Sequence, residues 1–228
     1  MGATPIRKNR GLLPRFFFAL AAAVLAAGPG LRGQEPRPSI SETLLTRARE
    51  RLARGEHASA LDSLNAYLAT QPGDADARLM RAQVYALQNR WDLAEEDLRD
   101  LLKDDPGNAR AECGLGEIAY RQNRLAEAYD HYQSARQIRP EDSFPGYMMF
   151  LCKLLQDQDE EAAYLLERLE AGRKDPAWHF AQAARAYHGG DAARGDYLAG
   201  AARRMWPLSE TARYARPLAD QGWIVETR

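Results

Sequence analysis

The chain has 228 residues, of which 45% are hydrophobic and 28% are charged, and its formal net charge is −1. This composition suffices for one or two packed domains and excludes both a disordered chain and a polytopic membrane protein. Residues 1–30 hold four of the 31 basic residues and no acid, so the remainder has 27 basic residues against 32 acidic ones. Because a nucleic-acid-binding protein usually has the opposite sign, we expect no nucleic-acid partner.

Residues 1–30 have the layout of an export signal. Four basic residues precede the uncharged run FFFALAAAVLAA, and small and turn-forming residues follow it. We predict a signal peptide cleaved after Ala26, Ala27 or Gly30, and then a linker over residues 31–40. The alternative is an uncleaved N-terminal membrane anchor, although the run is shorter than the ~18–20 residues that span a bilayer. Both interpretations place the rest of the chain in the periplasm or outside the cell, secreted or anchored, and the mature domain is not expected to insert into a membrane.

From residue 41 the sequence repeats itself at a constant interval. Four series share one register, which we call the repeat register: Pro72, Pro106 and Pro140; Ala60, Ala94, Ala128 and Ala162; Leu64, Leu98, Tyr132 and Leu166; and Gly55, Asn89, Asn123 and Asp157. The Gly/Asn/Asp series suits the left-handed backbone at a helix C-terminus. The alanines allow close approach of two helices, the bulky series packs above them, and proline ends the second helix. Each unit is therefore predicted to be a helix, a tight turn, a second helix and a stop.

Helix starts are marked by capping residues. Asp74 and Asn108 follow the proline turns and are good N-caps for the next helix. Ser39 and Glu42 form a plausible capping box for the first unit.

The pattern resembles the tetratricopeptide repeat family, whose unit of about 34 residues matches the interval between the series. The family's small residue at position eight matches Ala48, Ala82 and Gly116, and its aromatic residue at position eleven matches Tyr85. The resemblance implies an all-α fold, an α-solenoid wound as a right-handed superhelix of about five helix-turn-helix repeats with a C-terminal capping helix. The predicted repeat domain is 41–207, divided into 41–74, 75–108, 109–142, 143–176 and a degenerate 177–207.

The last units depart from the pattern. Phe150 stands at the small position of the fourth unit, and Pro176 comes two residues late. The fifth unit has Asp196 at the position of the buried alanine, so either the turn at Gly189–Gly190 shortens the unit or the second helix is repacked.

Residues 208–228 are predicted to form a capping helix and tail. Ser209 is the expected N-cap of that helix, and Trp223 and Ile224 are expected to fold back on the last helix pair.

Binding in this family usually takes place on the concave side, which the first helices line. The family positions that face this side give Leu45 and Arg49 and the ten residues of the predicted binding site: Leu79, Gln83, Leu87, Glu117, Tyr120, Arg121, Tyr147, Leu151, Leu154 and Leu155. The segment from Phe144 to Leu155 is apolar almost all round. It is either core between flanking repeats or a hydrophobic groove for a partner helix or peptide.

The sequence holds no motif of a catalytic site, a cofactor or a metal centre. It has no Gly-rich phosphate loop, H-E-x-x-H or G-x-S-x-G, and Cys113 and Cys152 are expected to be free thiols. We therefore predict an exported, non-catalytic interaction module that binds a protein or peptide in the concave groove. The alternatives are a self-associating scaffold or a non-catalytic subunit of an envelope complex, and an enzyme is less favoured.

Overall fold

A computed structural model of the chain describes residues 40–170 and 175–224. The described residues form eleven α-helices and no β-strand. The helices are α1 (Ile40–Ala53), α2 (His57–Thr70), α3 (Ala75–Leu87), α4 (Trp91–Asp104), α5 (Ala109–Arg121), α6 (Leu125–Ile138), α7 (Ser143–Leu154), α8 (Asp159–Glu170), α9 (Ala177–His188), α10 (Ala192–Met205) and α11 (Leu208–Asp220). The predicted signal peptide and linker, and Ser39 of the predicted capping box, lie outside the described residues.

The helices pack as a solenoid of antiparallel pairs. From α1 to α10 each helix packs against its neighbour in the chain, and first helices also pack on the first helix of the next pair, α3 on α5 and α7 on α9. The predicted all-α solenoid of five pairs with a C-terminal helix is therefore confirmed.

The turn between the two helices of a unit has the expected left-handed residue. Backbone φ is 73° at Gly55, 58° at Asn89, 59° at Asn123 and 56° at Asp157. At three of the four turns this conformation is held by a residue other than glycine. Asparagine and aspartate tolerate positive φ better than other such residues, which explains why the sequence uses them there.

Capping side chains start the first helices of the middle units. Asp74 accepts a hydrogen bond from the Ala77 amide at 2.9 Å, and Asn108 accepts one from the Ala111 amide at 3.1 Å. Both predicted N-caps are therefore confirmed. Asp142 accepts a bond from the Phe144 amide at 3.1 Å.

Small and large residues compensate across the helix pairs of the repeats. Ala94 in the second unit and Ala128 in the third have no exposed surface, as expected for contacts between close helices. Gly116 lies opposite Tyr132, and a β-carbon at Gly116 would come within 3.0 Å of the tyrosine ring. Because Tyr132 stands where the first two units have leucine, the facing position must be glycine, whereas those units have alanine there.

The fifth unit is shortened at its turn. The left-handed residue is Gly190, with φ of 83°, one position earlier than the repeat register requires. The small buried residue of α10 is accordingly Gly195, where a β-carbon would lie only 2.5 Å from the Tyr187 ring. Asp196 is exposed and accepts a hydrogen bond from the Tyr187 hydroxyl at 2.7 Å. Of the two interpretations, the structure has the shortened unit.

The start of α11 differs from the prediction. The helix begins at Leu208, and its N-cap position is Pro207, so the expectation that Ser209 caps it is wrong. Proline fixes the φ angle at the helix start and has no amide hydrogen that would need a partner. At the other end, Trp223 stacks on Tyr187 with ring centroids 6.0 Å apart, which is the predicted fold-back.

Candidate protein-binding groove

A groove of about 330 Å³ opens on the side of the solenoid lined by first helices. Helices α3 and α5 form its floor, the start of α7 closes one end and α11 stands at its edge. We call it the α3–α5 groove. Its lining includes the apolar residues Leu79, Met80, Leu87, Cys113 and Phe144, the five arginines Arg110, Arg121, Arg139, Arg213 and Arg216, and the two acids Glu117 and Asp142.

Half of the predicted binding site lines this groove. The five residues are Leu79, Gln83, Leu87, Glu117 and Arg121. Gln83 and Glu117 are exposed, and the other three are half-buried. The structure thus brings the α3 and α5 positions together on one accessible surface, although their role in binding stays a prediction.

The expected apolar stripe on α7 is not accessible. Tyr147 and Leu151 are fully buried and Leu154 is 3% exposed, so the expectation of a partly exposed binding stripe is wrong. The reason is that α7 packs against α6, α8 and α9, and α11 also contacts it. The Tyr147 hydroxyl donates a hydrogen bond to the backbone oxygen of Tyr214 at 2.9 Å, and the two rings lie 5.5 Å apart. The apolar helix is core, as the alternative interpretation had it.

The remaining two predicted residues belong to the same covered region. Tyr120 is 4% exposed, and its hydroxyl accepts a hydrogen bond from Gln221 at 3.2 Å. Burial raises the pKa of Tyr120 above its ordinary value, which keeps the hydroxyl neutral. Leu155 is half-buried and packs against the C-terminal core. Neither lines the α3–α5 groove.

The side of the groove formed by α11, which we call its wall, was not predicted from the sequence. Arg213 and Arg216, three residues apart on α11, both face it. Arg213 pairs with Asp142 at 2.7 Å and lies over the Phe144 ring, 4.3 Å from its centroid. In the sequence, the two arginines lie on the predicted capping helix, but no local pattern determines where that helix packs relative to the repeats.

The arginines of the groove differ in how well they are paired. Arg110 contacts Asp76 at 2.5 Å, and Arg139 contacts Glu141 at 3.3 Å; all four side chains are exposed.

Arg121 and Arg216 instead share one carboxylate oxygen of Glu117, at 3.2 and 4.0 Å. Arg121 also lies 3.8 Å from Asp220, and its Nε has no hydrogen-bond partner within residues 40–170 and 175–224. Arg121 thus lies near two carboxylates and Arg216 near one of the same two.

The two cysteines are free thiols. Cys113 lines the groove and Cys152 is buried in the C-terminal core. Burial raises the pKa of each thiol to about 12, so both are protonated at neutral pH. Among the described residues, no group of three or more His, Cys, Asp or Glu side chains is arranged to hold a metal ion. The same part of the chain has no helix long and apolar enough to cross a membrane.

A sequence profile described as "Tetratricopeptide repeat" matches residues 45–108 and 88–143. Residues 45–143 of the chain are tetratricopeptide repeats. The resemblance seen in its repeat register is thereby confirmed. Its structure is similar to that of a thermophilic tetratricopeptide-repeat protein from Thermus thermophilus, with a TM-score of 0.62, 19% identity, and coverage of 78% of this chain and 99% of that one.

Two curated relatives are each similar to part of this chain. The DnaJ protein P58IPK homolog A of Oryza sativa is 33% identical over 102 residues, which are 45% of this chain and 21% of the relative. The type IV pilus assembly protein PilF of Pseudomonas aeruginosa is 31% identical over 129 residues, 55% of this chain and 51% of PilF. The chain thus spans about a fifth of the first of these relatives and about half of the second.

Proposed function

We propose that the protein is an exported, non-catalytic interaction module that binds a peptide or helix of a partner protein in the α3–α5 groove. The observation that carries the proposal is the groove itself, whose lining combines apolar side chains with five arginines and two acids. Small clefts of this kind, with apolar lining and a few placed charges, are typical binding sites. The tetratricopeptide-repeat fold supports protein binding in general, and the groove supplies a specific place for it.

Export is supported by the sequence of residues 1–30, with its basic start, short apolar run and small-residue end. The similarity to a pilus assembly protein supports a place in an envelope complex, because that relative takes part in an assembly. N-terminal sequencing of the protein from the producing cell should find a mature chain that begins between Ala27 and Gln34. An intact N-terminus in the soluble cytoplasmic fraction would contradict export.

A matched pair of variants tests the groove. Gln83 is exposed and lines the groove, whereas Gln133 is exposed on the second helix α6 and is not part of the groove lining. The full chain is used to select peptides from a random display library, and the affinity of the enriched peptides is measured.

Gln83→Trp fills the groove and should weaken binding at least tenfold, while Gln133→Trp should leave it unchanged. Enriched peptides that bind both variants as well as the original chain would overturn the proposal. Self-association, the alternative, would appear as a concentration-dependent mass in sedimentation experiments.

A further inference from the structure

We propose that the turn between α10 and α11 contacts a lipid bilayer, which Met205 and Leu208 enter while two neighbouring arginines bind anionic headgroups. We call this turn the apolar corner; it consists of Met205, Trp206, Pro207 and Leu208. The contact is shallow, because no described helix is long and apolar enough to cross a membrane. It is separate from the α3–α5 groove, whose lining includes no residue of α10 or of the corner.

The first argument is a comparison of the same turn in different repeat units. Pro207 follows the small buried Gly195 at the spacing that joins Ala60 to Pro72 and Ala94 to Pro106. The first two units build the turn as TQPGD and DDPGN, and the third, IRPED, has one apolar side chain. The last unit builds it as MWPLS. The turn of a repeat therefore does not require large apolar residues, and their presence here needs another explanation.

The second argument is the exposure of the corner on a fixed backbone. Met205 is 53% exposed and Leu208 is 69% exposed. Trp206, between them, is half-buried; its ring centroid lies 5.1 Å from that of His179, and its amide donates a hydrogen bond to the backbone oxygen of Ala202 at 3.0 Å. Two large apolar side chains thus project from an anchored turn, so that little conformational entropy is lost when they enter a membrane.

The third argument is the charge beside the corner. Helix α10 has three arginines and one acid, whereas α4 has six acids against two basic residues and α8 has five against one. Arg203 and Arg204 directly precede the corner, and Glu210 follows it in the first turn of α11. Because most of the chain is acidic, an anionic surface attracts this end of it and repels the rest.

The arginines of α10 are also free to bind an anion. Arg194, Arg203 and Arg204 make no ion pair within residues 40–170 and 175–224. The arginines that line the α3–α5 groove are instead each paired with a carboxylate of the chain. A headgroup phosphate at the corner therefore has no internal carboxylate to displace.

The order of side chains along α10 fits a lipid surface better than a protein partner. Arg204 lies back along the helix, with its Nη1 3.3 Å from the β-position of Gly200. Tyr197, on the same helical face, is 69% exposed. Aliphatic side chains at the tip, then arginine, then tyrosine, match the acyl region, the headgroups and the outer boundary of a bilayer. No complementary cavity is needed to receive them.

The first test uses the full chain and vesicles of two compositions. Co-sedimentation compares phosphatidylcholine vesicles that contain about one third phosphatidylglycerol with vesicles of phosphatidylcholine alone. The anionic vesicles should bind the chain about tenfold more tightly, and added salt should reduce the difference. Absence of binding to the anionic vesicles, or equal binding to both, overturns the proposal, whatever protein binds at the corner.

The position of the contact is tested by lipids brominated in the acyl chains, which quench nearby tryptophans. The chain has four tryptophans, and Trp206 lies in the corner. Trp206→Phe should remove most of the quenching, while Trp91→Phe, on α4, should not. The reverse result would place the membrane contact elsewhere and overturn the corner as its site.

Matched substitutions test the two parts of the surface. Met205→Ser combined with Leu208→Ser should weaken binding to anionic vesicles at least tenfold, since neither apolar side chain then leaves water. Tyr164→Ser, at a tyrosine that is 57% exposed on α8, is the control. Arg204→Gln should weaken binding about fivefold, whereas Arg54→Gln, at an exposed arginine of the first unit, should not.

The substituted side chains at the corner are exposed, and circular dichroism with thermal melting checks that each variant is folded. Folded corner variants that bind anionic vesicles as tightly as the original chain would contradict the proposal. So would a loss of binding in Arg54→Gln equal to that in Arg204→Gln, because the charge would then act without regard to place.

Discussion

The first three helix pairs and the last five helices are held together in different ways. Pairs α1 to α6 follow the repeat register, and ion pairs join successive units, as between Arg110 and Asp76 and between Arg124 and Glu95 at 2.5 Å each. The apolar residues of α1 to α5 form two small clusters limited to adjacent helices. A single large cluster begins at the C-terminal end of α5 and collects residues of every helix from α6 to α11.

The difference lies in the distance along the chain between contacting residues. Contacts in the regular part join neighbours, as in other repeat proteins, so that stability is close to a sum of local terms. The second part instead makes contacts distant in the chain: Ser143 bonds Tyr214 at a separation of 71 residues, and Gln221 reaches back to Tyr120 of α5 at a separation of 101 residues. Departures from the repeat pattern mark the part of the molecule that folds back on itself. Substitutions there should have the larger effects.

The largest effect is expected for Leu151→Asp on α7. Leu151 is fully buried, so the variant places a carboxylate in the C-terminal core without a partner. The cost should be several kcal/mol, seen as a large drop in melting temperature. Ile138→Asp is the control because Ile138 is 37% exposed on α6. A Leu151→Asp protein that melts like the original would mean that Leu151 is not buried in solution.

The second largest effect is expected for Ala94→Leu, which tests the close contact between helices in the regular part. Ala94→Leu should cost about 1–3 kcal/mol by overpacking, because Ala94 has no exposed surface. Ala126→Leu, on the exposed side of α6, should change stability little. Ala109, at a repeat start, is a poorer control because it is only 8% exposed. Equal losses of unfolding free energy in Ala94→Leu and Ala126→Leu would contradict the register.

A smaller effect is expected at the contact between α7 and α11. Tyr147→Phe removes the hydrogen bond to the backbone oxygen of Tyr214 and should cost about 1 kcal/mol. Limited proteolysis should then cut the segment after Met205 faster than in the original chain. Tyr164→Phe, at a tyrosine that is 57% exposed, is the control for the loss of a hydroxyl group. Unchanged proteolysis in Tyr147→Phe would show that this bond does not hold α11.

The smallest effect concerns a single turn. Asn123 has φ of 59°, so Asn123→Ala should cost about 0.5–1 kcal/mol while Asn123→Gly should be neutral or slightly stabilising. Urea unfolding of the two variants measures the difference. A more stable alanine variant would contradict the left-handed turn.

The parts of the structure that the sequence predicts are those set by near neighbours. The turn residue Asn123, the cap Asp74 and the small Ala94 each have a role fixed within a single repeat unit, and each was predicted correctly. The path of α11 depends on contacts with α7 such as the bond between Tyr147 and Tyr214, which are 67 residues apart. No local pattern encodes such a contact. For that reason the α7 residues were placed on an open surface, and the arginines of α11 were missed.

The lining of the α3–α5 groove follows the same division. Leu79, Gln83 and Arg121 were predicted to share one surface because their positions in the repeat determine which way they face, and all three line the groove. Ser209 was misjudged because its residue type favours an N-cap, whereas Pro207 had already set the start of the helix. Local signals compete when they stand close together in the chain, and the sequence does not show which one prevails.

The wall of the groove is made by the last helix of the chain, and this has a consequence for the timing of synthesis. Helices α3 and α5 are complete at Arg121, whereas Arg213 and Arg216 are added only near the end of the chain. At about 5–20 residues per second, the intervening stretch of about 90 residues takes roughly 5–20 s, during which the groove has a floor and no wall. If the proposed partner contacts both, it is bound only after α11 has been made, and a product truncated or stalled before α11 would not compete for it.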